Sequence, residues 1–200
     1  NYQTFTDFAN DINANGVNGP VTVNVSNGPF NEQVKFNDIN GASANNRIVI
    51  NGNGNLISYN STSGQPWIVA LDGTDYMTIN ELQVLGLNTT YAFCLKLWNS
   101  ANFNIFSACS FSVQLSSTGT QAIPVSISGN GTSYSAASAT TADYNKFLGC
   151  TTYGGYAGIA IYRGTGTAPY NQGGNNEISG CMILDFYYAG IWNYAYENGT

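Results

Sequence analysis

The chain has 200 residues, 43% of them hydrophobic and only 8% charged, with eleven Asp and Glu against five Lys and Arg and a net charge of −6. That length suits one domain or one uninterrupted stack of repeats, and the apolar content excludes a disordered chain. The basic residues Lys35, Arg47, Lys96, Lys146 and Arg163 stand singly, which argues against nucleic-acid binding, and the lack of histidine removes every Ser-His-Asp, Cys-His and His-metal constellation.

The chain opens on Asn1 as a processed product would, and its apolar runs, such as Trp67 to Leu71, are too short for membrane insertion. Residues 1–16 predict one amphipathic helix. Phe5, Phe8 and Ile12 share a face, Thr4 and Asp7 are spaced like a capping box, and Gly16 ends the run. Residues 17–200 read instead as short strands bounded by Asn, Gly, Asp and Ser. The helix is expected to cover the open end of whatever those strands build.

Four segments fall into one register: Asp75, Tyr76, Ile79, Leu82 and Val84; Asn102, Phe103, Phe106, Cys109 and Phe111; Asp143, Tyr144, Phe147, Cys150 and Thr152; Gly174, Asn175, Ile178, Cys181 and Ile183. They lie 27, 41 and 31 residues apart, an irregular spacing that suits a coil of parallel strands with turns of variable length. The surplus in the 41-residue interval is a Ser/Ala/Thr/Gly-rich stretch, read as an extruded loop near 128–142. A second strand column follows each copy: Phe93, Leu95 and Leu97; Val125 and Ile127; Ile159 and Ile161; Ile191. Coils stacked at about 4.8 Å per rung would bury these apolar faces. The fold predicted is an all-β, right-handed parallel β-helix with a short N-terminal capping helix, one domain over 1–200 within a longer chain. Further domains or another chain are expected to cover the C-terminal end, where the strand from Ile191 to Tyr196 has no cap.

The opening segments Asn18 to Val34 and Ile39 to Ile50, with the coils that follow, closely resemble bacterial right-handed parallel β-helix repeat proteins of the pectin-lyase-like superfamily. The resemblance implies an extracellular or cell-surface protein, of a type often exported by type IX secretion. It also raises a polysaccharide-degrading lyase or glycoside hydrolase as an alternative, with catalytic coils beyond residue 200.

Residues that could carry such chemistry are few. Asp75 and Asp143 share a turn column two rungs apart, roughly 10 Å, near the upper limit for inverting carboxylates. Short polar side chains at a turn more often bond the backbone, and that is the expectation here. Asp72 in an Asp-Gly turn could ligate calcium, but a plain turn is the simpler reading, and no metal or cofactor is expected. Cys109, Cys150 and Cys181 repeat at one position and should stack inward as reduced, small hydrophobes.

The tyrosines are uneven: Tyr153, Tyr156, Tyr162, Tyr170, Tyr187, Tyr188, Tyr194 and Tyr196 lie in the last quarter, with Trp192 among them. If Ile159, Ile161 and Ile191 point inward, alternation sends Tyr162, Trp192 and Tyr194 outward, near Lys96 and Trp98 of an earlier coil. With Arg163, these form a candidate glycan-binding strip, flat aromatics stacking on sugar rings. Packing of the strip under a loop or a neighbouring domain is the competing reading. The function expected is a non-catalytic extracellular module of a secreted or surface adhesin-type protein, with a polysaccharide or surface glycan as partner.

Overall fold

The computed structural model describes residues 1–136, 141–163 and 174–194. After helix α1 (Phe5–Asn15), the first rung is β1 (Val21–Asn24), β2 (Phe30–Asn31) and β3 (Val34–Phe36); the second is β4 (Ile48–Asn51), β5 (Leu56–Tyr59) and β6 (Trp67–Asp72). The third is β7 (Met77–Asn80), β8 (Gln83–Gly86) and β9 (Ala92–Trp98), and the fourth β10 (Ile105–Ser107), β11 (Ser110–Val113) and β12 (Ala122–Ile127). The fifth is β13 (Lys146–Leu148), β14 (Thr151–Tyr153) and β15 (Ala157–Tyr162); the sixth is β16 (Glu177–Ser179), β17 (Met182–Leu184) and β18 (Ala189–Tyr194). Each strand pairs in parallel with its counterparts in adjacent rungs, giving three six-stranded sheets. This is the parallel β-helix that the repeat predicts.

Three columns of side chains fill its interior. Val23, Ile50, Ile79, Phe106, Phe147 and Ile178 stack in the first sheet, and Phe30, Ile57, Val84, Phe111, Thr152 and Ile183 in the second. Val34, Val69, Leu95, Val125, Ile159 and Ile191 stack in the third. Phe106 and Phe147 lie ring on ring at 5.1 Å. Of the residues expected inside, Phe5, Phe8, Ile12, Ile79, Leu82, Phe106 and Phe147 are buried, whereas Ile178 is half-buried because its rung has a described neighbour on one side only.

Two turn columns need left-handed backbone. Tyr76, Phe103 and Tyr144 sit at φ 55–58°, and Glu81, Ala108, Gly149 and Gly180 at φ 51–63°. The first three stack as a ladder with centroids 5.0 Å apart, under the Arg47 guanidinium. Beside them runs a ladder of the buried Asn104 and Asn145 and the half-buried Asn176. Each side-chain oxygen accepts the backbone N–H of the residue below it, Met77, Asn104 and Asn145 in turn.

The helix closes the first rung as expected, by more contacts than its own sequence declares. Thr4 Oγ1 accepts the Asp7 N–H at 2.9 Å, and Glu32, from the first rung, accepts the N–H groups of Phe5 and Thr6 at 3.0 and 2.9 Å. The Asn13 amide donates to Lys35 O while its oxygen accepts the Asn37 N–H, both at 2.9 Å, so one side chain stands in for a strand along the free edge of β3. Among the described residues, no helix is long and apolar enough to cross a membrane.

Candidate functional site

The outer face of the third sheet departs from simple alternation. Ile68 and Val69 both face the main core, as do Cys94 and Leu95, so the strands turn a corner between the paired positions Trp67–Phe93 and Val69–Leu95. That corner throws Trp67, Phe93 and Ile123 to the outside, where they form a second buried cluster with Ala70 and Ala160. Grouping Phe93 with the inward Leu95 and Leu97, as its spacing suggests, is therefore corrected. Trp98, Tyr134, Tyr156 and Trp192 pack against this cluster.

The extra residues between the fourth and fifth rungs are not extruded over 128–136; they fold back over this face. Gly131 lies flat on Trp98, where a β-carbon would come 3.0 Å from the indole. Tyr134 covers Trp192, with centroids 4.8 Å apart, and meets Tyr156 edge-on at 6.2 Å. Asn130 Oδ1 shapes the excursion by accepting the N–H groups of Thr132 and Ser133 at 3.0 and 2.8 Å.

Lys96 is the centre of the covered region. It lies in the outward column Ala70, Lys96, Ser126, Ala160 and Trp192, as alternation predicts, but it is fully buried and closed to a ligand. Its Nζ donates to Ser126 Oγ at 2.8 Å, Ser128 Oγ at 2.7 Å and Ser133 O at 2.9 Å, and it sits 4.7 Å from the centre of the Phe93 ring. With no carboxylate among these contacts, burial pushes its pKa well below the ordinary lysine value.

Arg163 is also corrected from ligand contact to internal support. It is buried and donates to Thr141 Oγ1 at 3.1 Å, to Ala142 O and to the Asp143 carboxylate. A β-carbon at position 174 would fall 2.7 Å from its guanidinium, so Gly174 makes room for it.

Tyr162, Trp192 and Tyr194 do meet on the outer face. Tyr162 stacks on Tyr194 at 5.2 Å and 8°, and Tyr156 on Tyr188 at 5.1 Å and 10°, with Trp192 between the two stacks. Tyr187, Tyr188 and Tyr194 are exposed, and no described aromatic ring lies on the second face of Tyr188 or Tyr194. Trp98 belongs to the covered half, while the rings open to solvent are those of the sixth rung. Tyr134, Tyr156 and Tyr188 are the members not singled out from the sequence; Tyr134 is the lone aromatic of the 128–142 stretch, which was its only signal. Tyr170 and Tyr196 lie outside the described residues.

The carboxylates considered for catalysis serve the turns. Asp75 Oδ1 accepts the Asn102 N–H at 2.6 Å, Asn102 Oδ1 accepts the Asp143 N–H at 2.7 Å, and Arg163 closes the series on Asp143. Partial burial raises the Asp75 pKa. Asp72 bonds Lys35 at 3.2 Å and Asn99 at 3.2 Å. Cys109, Cys150 and Cys181 stack in register as free thiols; the first two are buried and Cys181 half-buried, each donating to a carbonyl of the preceding rung. Burial pushes the separate Cys94 thiol up to about 12. Among the described residues no group of three or more Cys, Asp or Glu is placed to hold a metal ion.

No family model, no curated protein and no solved structure matches this chain.

Proposed function

We propose that this chain is a non-catalytic extracellular module of a bacterial secreted or surface adhesin-type protein, and that the tyrosine face of its last rungs binds glycan. The observation that carries the reading is the pair of tyrosine stacks flanking Trp192, each ending in an exposed ring, on a rigid parallel sheet. Rings held by their neighbours lose little freedom when a sugar packs on them, and phenol hydroxyls add polar contacts at the rim. Kinship with the pectin-lyase-like superfamily and export by the type IX route belong to the same proposal. They rest on the quoted segments of the opening coils and on the β-helix architecture they accompany.

Binding on a glycan array tests it, with wild type compared against a Tyr188→Ala, Tyr194→Ala double variant of unchanged far-UV circular dichroism. The expected result is binding that the double variant loses. Binding unchanged in the variant would remove this face from consideration.

A further inference from the structure

All five Lys and Arg side chains lie among the described residues, and each is already engaged. Lys35 pairs with Asp72 at 3.2 Å and Lys146 with Glu177 at 2.8 Å. Arg163 is buried against Asp143, and Lys96 is buried beneath the 128–136 excursion. Arg47 donates to the carbonyls of Met77 and Phe103 and to Thr78 Oγ1, with its guanidinium over the Tyr76 ring.

The tyrosine face has still less positive charge to offer. Lys146 belongs to a different sheet, and Lys35, on β3, shares the sheet with β18 but stands five rungs away, about 24 Å. The exposed Asp185, two residues before Tyr187, lies by the Tyr153 hydroxyl of β14 in the neighbouring sheet, so the charge nearest along the chain is negative. The chain as a whole carries −6. A polyanion approaching this face would meet like charge with no compensating cation, and repulsion of that kind lowers both encounter rate and affinity. What the face does present is aromatic surface and phenol hydroxyls.

We infer that the ligand of this face is an uncharged polysaccharide, and that polyuronates and other acidic glycans are rejected. The inference rests on the glycan reading above and narrows it to one chemical class. It also sets this module apart from any site that works on acidic sugars, because such a site needs a cation to meet the carboxylate.

The test is depletion of the full chain from solution by insoluble polysaccharides, using cellulose, chitin and unsubstituted xylan as uncharged probes and cross-linked pectate and alginate as acidic ones, at low and at physiological ionic strength. The expected result is retention on at least one uncharged polymer, insensitive to salt, and none on the acidic polymers. The Tyr188→Ala, Tyr194→Ala variant should bind that polymer about tenfold more weakly, while a Tyr188→Phe, Tyr194→Phe variant keeps most of the affinity through its rings. Salt-sensitive retention on pectate or alginate would overturn the uncharged class and leave the glycan reading standing. Retention on none of the five would overturn the glycan reading itself, and a protein partner captured at this face would then replace it.

Discussion

Inside the coil, the same positions recur and nearly all carry apolar residues: Ile50, Ile79, Phe106 and Phe147 stack in register and are all buried. Outside the third sheet, Trp67, Phe93 and Ile123 are also buried, yet they depend on a corner in the strand and on one excursion without a counterpart among the described residues. The interior is a repeated solution and the outer cluster is a local one. A repeated column shares its stabilisation between neighbouring rungs, whereas the outer cluster depends on Tyr134, Gly131 and the Lys96 contacts together.

The sharpest way to separate the two regions is to empty one site in each. Phe147→Ala deletes a fully buried ring stacked on Phe106 and should cost about 3–5 kcal/mol, read as a shift of the urea midpoint. Trp192→Ala, on the half-buried outer side, should cost about 1–2 kcal/mol. Equal losses would mean that the outer cluster is as integral to the coil as its interior.

The same contrast marks how far the sequence could be read. The four-copy register from Asp75 onward placed the interior columns and the turns, because stacking forces equivalent residues into equivalent environments. The inward asparagines Asn104, Asn145 and Asn176 sit in that register too, but asparagine reads as a turn residue until its ladder of backbone partners is seen. The outer face was less legible. Alternation placed Tyr162, Trp192 and Tyr194 together, but it could not show the corner that expels Phe93, nor that residues 128–136 return to bury Lys96. Such contacts are set by one excursion's path, and nothing periodic in the chain encodes it.

Lys96 allows the excursion to be probed by pH. Its folded-state pKa is lowered by burial, so the folded state binds fewer protons than the unfolded state between that value and about 10.4. Stability therefore rises with pH across that window, by up to about 1.4 kcal/mol per unit. Above about 8.5 the raised thiol of Cys94 acts in the opposite sense, because its unfolded form ionises first. Denaturation midpoints of the wild type should thus climb with pH below about 8.5, and Lys96→Met, which keeps the stem, should flatten the climb. A wild-type profile already flat there would show a fully charged ammonium held by its three oxygens.

A smaller gain is available inside. Thr152 occupies the column of Phe111 and Ile183, and its hydroxyl is buried without a hydrogen-bond partner. Thr152→Val replaces that hydroxyl with a methyl group of similar size and should stabilise the chain by about 1–2 kcal/mol, read as a higher thermal midpoint. A loss instead would mean that the hydroxyl is hydrogen-bonded in solution.

The smallest effects test the repeat itself, at a turn that every coil must make. Ala108 and Gly149 are neighbours in one column, at φ 51° and 59°, and their backbone N–H groups bond the same kind of acceptor, Leu148 O and Ser179 O, at 2.9 and 2.8 Å. Left-handed backbone costs an ordinary residue about 1–2 kcal/mol, and glycine escapes that cost while losing about 0.5–1 kcal/mol more conformational freedom on folding. Ala108→Gly should therefore gain about 0.5–1 kcal/mol. Gly149→Ala, where a β-carbon would meet nothing within 4 Å, should lose a similar amount through backbone strain alone. Opposite signs in adjacent rungs, measured by urea denaturation, would show that the coils obey one backbone rule whatever residue each has come to carry. The same sign in both would mean that the rungs differ in ways their shared register conceals.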